Sequence, residues 1–123
     1  MTTARSLIPA LTFGALACAL LACSSGPSES EFAAACVQEG QRSSANRAMS
    51  REMGVVNREA FCQCTARETK PLVSADGYRW MMLDMQGKRQ EAAALEAKMS
   101  EADRMDMAKA AMSVLGKCMA GTR

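Results

Sequence analysis

Two hydrophobic patterns divide this chain. From residue 7 to residue 22 the side chains are apolar almost without a break, Pro9, Thr12 and Gly14 being the interruptions. That run is shorter than the roughly 20 residues a membrane-spanning helix needs. Arg5 precedes it and the small residue Ala22 closes it. A charged start, a short apolar core and a small residue before the cut are the marks of a secretory signal. Beyond the tether at 23–28, rich in Ser and Gly, the pattern changes. Apolar positions recur every three or four residues, the spacing of helices that bury one face.

The local signals place those helices. Ser28-Glu29-Ser30-Glu31 fits a capping box, Ser28 being the cap and Glu31 reaching back. A first helix is predicted through Ala33, Ala34 and Cys36. Gly40 and Ser43-Ser44 weaken it, and its end is expected between residues 40 and 50. Residues 50–56, with Gly54, read as a connection. Asn57 caps a second helix from 58 to about 70, with Glu59 in the first turn where the helix dipole favours it. Pro71 stops it. Ser74 caps a third helix carrying Tyr78, Trp80, Met81, Met82, Leu83 and Met85, with Gly87 near its end. Residues 88–99 are rich in Ala, Glu and Lys, strong helix formers. Ser100 caps a last helix from 101 to 119, with Gly121 as terminator. There Met105, Ala108, Met112, Leu115 and Met119 form one stripe, and Met107, Ala111, Val114 and Cys118 the adjoining one. Both are predicted to be buried as one broad face. No alternating strand pattern occurs. The expected fold is all-α, an irregular bundle of four or five short helices over residues 29–123.

Charge and composition narrow the function. Without residues 1–22 the chain has 101 residues, 14 basic and 13 acidic, evenly mixed. Such a balance points away from nucleic acid and from a polybasic lipid patch. Histidine is absent, which excludes His-based acid–base catalysis and His-containing metal sites. There is no glycine-rich phosphate loop. Paired carboxylates such as Glu101 and Asp103 read as solvated surface. A domain this small buries only about 60–65% of its unfolded surface, so its core alone is modest.

Leu20-Leu21-Ala22-Cys23 resembles the lipobox of bacterial lipoproteins. Cys18 follows Gly-Ala-Leu-Ala, a poorer match. The resemblance implies that residues 1–22 are a cleaved signal peptide. It further implies a diacylglycerol on the Cys23 sulfur and an acylated amino group. One acyl chain binds a membrane only marginally, whereas two or three hold it stably. In Gram-negative lipoproteins Ser at the position of Ser24 points to the outer membrane. The expected location is therefore the cell envelope, at the periplasmic face of the outer membrane.

With Cys23 assigned to lipid, Cys36, Cys62, Cys64 and Cys118 remain. An even set outside the cytoplasm reads as a disulfide framework. Cys62 and Cys64, two apart on a helix, point roughly 200° apart, which disfavours their pairing with each other. Two pairings stay open: Cys36 with Cys62 and Cys64 with Cys118, or the partners exchanged. In outline the chain is similar to small Cys-rich helical periplasmic proteins. The alternative chemistry is a thiol-redox or thiolate metal module at Cys62-Gln63-Cys64, beside Arg58 and Arg67. The Met81-Met82-Met85 and Met105-Met107 groups are soft thioethers of the kind that bind Cu(I), but helical spacing favours packing. Tyr78, Trp80, Met81, Met82 and Met85 form a candidate partner patch. The expected role is non-enzymatic, through the membrane and an envelope protein. No cofactor, metal or nucleic acid is called for.

Overall fold

A computed structural model describes residues 26–120 other than 43, 53 and 56. The expected signal peptide at 1–22, Cys23 and Gly121 lie outside the described residues. The fold is all-α, 83% helical and without strands among the described residues. The elements are α1 (Glu29–Arg42), α2 (Ser44–Glu52), α3 (Arg58–Thr69), α4 (Ala75–Met85), α5 (Arg89–Glu96) and α6 (Glu101–Ala120). A single 3₁₀ turn, Lys70–Leu72, follows α3 and carries Pro71. Among the described residues there are thus six helices where four or five were expected. The additional one is α2, in the stretch where sequence pattern placed the frayed end of the first helix and a connection.

Helix starts follow the local chemistry. The Ser28 backbone N–H donates to Glu31 Oε2 at 2.8 Å, and the Glu31 N–H donates to Ser28 Oγ at 3.2 Å, closing the capping box. Asn57 Oδ1 accepts from the Ala60 N–H at 3.0 Å, Ser74 Oγ from Gly77 at 3.0 Å and Ser100 Oγ from Asp103 at 3.1 Å. Each satisfies a donor that a helix start leaves unpaired. At the other end of α4, the Arg42 guanidinium donates to the carbonyls of Met85 and Gln86. It ties the end of α1 to the end of α4 and places a cation where the helix dipole favours one.

Helix α3 is the centre of the bundle. It lies between α1 and α6, while α4 packs on α1 and α5 on α4. The core forms where α1, α3 and α4 meet. Phe32 stacks on Tyr78, with ring centroids 4.3 Å apart and planes at 17°. Ala66 lies beneath them, and Met81, Met82 and Met85 pack around the group. The buried Tyr78 hydroxyl donates to the Ala66 carbonyl at 3.0 Å. Gly77 lets α4 approach α6, since a Cβ there would sit 3.2 Å from Met107 Cγ.

Helix α6 corrects the sequence pattern. Only Met107, Ala110, Val114 and Cys118 are buried. Met105, Met112 and Leu115 are 52%, 82% and 41% exposed, and Ala108 and Ala111 are exposed too. Met119 is half-buried. The expected broad face is therefore split, one stripe inside and one outside. The physical reason is covalent. Cys118 is fully buried and bonded to α3, and that bond sets the rotation of the helix.

Candidate functional site

The cysteines come together around α3. Cys36 is bonded to Cys62, with Cα atoms 5.6 Å apart, and Cys64 to Cys118, with Cα atoms 5.7 Å apart. This settles which of the two open pairings is used. The pairing reflects which helix lies on each flank of α3. Cys62 and Cys64 leave α3 on nearly opposite flanks, one toward α1 and the other toward α6. Cys62 and Cys118 are buried, while Cys36 and Cys64 are half-buried.

These bonds leave no thiol at any of the four positions. Among the described residues no group of three or more Cys, Asp or Glu is arranged to hold a metal ion. Two cations flank the Cys-x-Cys segment. Arg58 lies along α1 at Gly40, so close that a Cβ on Gly40 would come within 2.6 Å of its guanidinium. Arg67 Nε is 3.5 Å from Glu68 Oε1. Glu68 also accepts from Lys117 Nζ at 2.6 Å, a second link between α3 and α6. The hydrogen bond from Lys117 holds the Glu68 carboxyl below its ordinary range, with Arg67 adding to the effect. Met105 and Met107 diverge, one exposed and the other buried, so they do not converge on one ion.

The five residues of the candidate partner patch occupy different environments. Tyr78 is 2% exposed, its ring inside the core. Burial, and secondarily the carboxylate of Glu29, pushes its hydroxyl pKa well above the usual tyrosine value. Met81, Met82 and Met85 are half-buried against that core. Trp80 is half-buried, and its Nε1 is a buried donor with no acceptor.

Two surfaces were not singled out from sequence. The first is a groove of about 810 Å³ between α1 and α3. Ala33, Ala34 and Val37 give it apolar walls, and Glu29, Glu59 and Arg67 bring charge to it. Its signal is the row of small residues in α1 facing Glu59, Gln63 and Arg67 of α3, which recur every four positions. The second is the outward stripe of α6, Met105, Ala108, Met112 and Leu115. Its residues are plain in the sequence, but its direction depends on the distant bond to Cys64. Among the described residues no helix is long and apolar enough to cross a membrane. Comparisons with protein families, with characterised proteins and with solved structures find no match to this chain.

Proposed function

We propose that this chain is a lipid-anchored protein of the bacterial cell envelope whose helical domain acts by contact rather than by catalysis. In this reading residues 1–22 direct export and Cys23 carries the lipid. The domain works close to the bilayer, at the periplasmic face of the outer membrane, with another envelope protein as its partner. The observation that carries the reading is the use of cysteine. The lipobox-like Leu20-Leu21-Ala22-Cys23 takes one, and the four that follow are joined in two disulfides. Such bonds form and persist in oxidising compartments outside the cytoplasm. The absence of histidine and the use of all four cysteines in disulfides support a non-enzymatic role.

The test has two arms. Expression with a labelled fatty acid should label the wild-type protein and place it in the membrane fraction. The Cys23→Ala variant should lose both label and membrane attachment. A variant that is still processed and still membrane-bound refutes the anchor. Intact mass and thiol titration of the purified domain without reductant should find no free thiol. Reactive thiols or bound zinc at Cys62 and Cys64 would instead support a thiol or metal module.

A further inference from the structure

We infer that the Cys64–Cys118 disulfide is a redox switch that decides which apolar face α6 buries. With the bond closed, the helix shows a methionine-rich stripe to solvent. With the bond open, the helix rolls about its axis, buries that stripe and exposes Cys118. The starting point is a mismatch between the two faces. The inward face carries Met107, Ala110, Val114 and Cys118. The outward face carries Met105, Ala108, Met112 and Leu115, continued by the half-buried Met119. Three methionines and a leucine offer more apolar surface than one methionine, a valine and a cysteine. Burial stabilises in proportion to apolar area, so area alone would turn the outward face inward. The disulfide opposes that turn, because it holds the fully buried Cys118 against α3.

The outward stripe has the chemistry of a core face. At about 100° per residue, the centres of the two faces lie roughly 135° apart around α6. Between residues 105 and 116 the outward sector contains no charged side chain, so rolling it inward buries no charge. Methionine, unbranched and flexible, adapts to a space shaped by other residues. Two polar ties of α6 run through long side chains. Lys117 Nζ donates to Glu68 Oε2 at 2.6 Å, and Arg104 Nη2 to the Met99 carbonyl at 3.2 Å. The Lys117 side chain is mostly exposed, and an ion pair so exposed holds a helix weakly.

The bond can be opened from one side. Cys64 is half-buried, whereas Cys118 has no exposed surface. A thiolate of a dithiol reductant attacks Cys64 Sγ, and the electron pair of the broken S–S bond leaves on Cys118 Sγ, which takes a proton. The reductant's second thiolate attacks its own sulfur in the mixed disulfide and releases the Cys64 thiolate, which is protonated in turn. The reductant ends as a disulfide, two electrons poorer, and Cys64 and Cys118 end as thiols. The switch needs this bond alone, and Cys36–Cys62 continues to join α1 to α3.

The Cys64→Ser variant opens this bond permanently and keeps Cys118 as a reporter. The readouts are maleimide labelling of Cys118 and peroxide oxidation of each methionine, both by peptide mass spectrometry. Met49 on α2, 52% exposed like Met105, is the internal reference. In the wild type, Met105 and Met112 should oxidise at least as fast as Met49, and the buried Met107 many-fold more slowly. In Cys64→Ser, Met105 and Met112 should slow several-fold relative to Met49. Met107 should quicken and Cys118 should label rapidly, with helical circular dichroism unchanged. Dithiothreitol added to the wild type should shift the methionines the same way, and reoxidation should restore them. A wild type that dithiothreitol leaves bonded overturns the switch. Met107 and Cys118 that stay protected in Cys64→Ser overturn it too, since α6 then keeps its rotation without the bond. Loss of helical circular dichroism, with every methionine reacting alike, also overturns it, because the second packing is then no folded state. A second variant, Met112→Glu, places a charge on the stripe. In the bonded chain it should leave the melting temperature unchanged, since Met112 is 82% exposed. Combined with Cys64→Ser it should abolish the protection of Met105, and protection that survives the added charge overturns the inference.

Discussion

Tyr78 shows how much one side chain does in a core this small. It stacks on Phe32, hydrogen-bonds to α3 and rises in pKa because it is buried beside the carboxylate of Glu29. Tyr78→Phe should cost about 1 kcal/mol at neutral pH, the usual net value of one hydrogen bond. The pH dependence has a definite sign. A phenol whose pKa is raised by folding stabilises the native state fully below the ordinary tyrosine value of about 10. As the pH climbs past that value the unfolded chain ionises first and the contribution is lost. Urea unfolding should therefore show the wild-type advantage over Tyr78→Phe shrinking above about pH 10. The chain has one tyrosine, so absorbance of the phenolate should appear only with unfolding. Trp80 presents the opposite case. Its Nε1 is buried without an acceptor, a penalty of about 1–3 kcal/mol. Trp80→Phe removes that donor along with some contact, so thermal melting should find little or no net loss. The stacking partner was not legible in the sequence, because it depends on α1 and α4 lying side by side.

At the scale of the element, the starts of the helices were legible and the rotation of α6 was not. Ser28, Asn57, Ser74 and Ser100 all cap as their local sequence implied, since a cap needs only a neighbour three residues away. Helix α2 escaped notice because Gly40 and the Ser43-Ser44 pair weaken local helix signals. In α6 two apolar stripes satisfy the three-and-four spacing equally well. The choice between them belongs to Cys64, which is 54 residues from Cys118. The disulfides were legible as a set, and α3 geometry excluded one pairing, but choosing between the other two needed the positions of α1 and α6. The two bonds close segments of 26 and 54 residues. On loop entropy each contributes about 3–4 kcal/mol, with the longer worth roughly 0.6 kcal/mol more. Each bond also has one buried cysteine, so the cavity left by substitution is similar. Replacing Cys64 and Cys118 together by Ala should thus lower the melting temperature somewhat more than replacing Cys36 and Cys62. Calorimetry of the two double variants measures the difference.

Over the whole molecule, the core is built largely from small side chains. Ala35, Ala66, Ala92 and Ala110 are buried beside a few large ones such as Phe32, Tyr78 and Met107. Alanine buries little apolar surface, so the covalent links carry much of the stability that a larger core would otherwise supply. The order of those links has a consequence for biogenesis. Cys36–Cys62 and Cys64–Cys118 join nearest neighbours in chain order, and the two closed segments share no residue. Under the proposed export, a chain entering an oxidising space amino end first, with Cys23 already spent on lipid, meets each correct partner before a wrong one. An oxidant alone should then complete the fold, and removing a disulfide isomerase from the host should leave the amount of correctly bonded protein unchanged. Refolding from the fully reduced state presents all four thiols at once, so Cys36 can also reach Cys64. There an isomerase should speed recovery, and the contrast between the two routes would mark a protein whose bonding depends on the direction in which it is delivered.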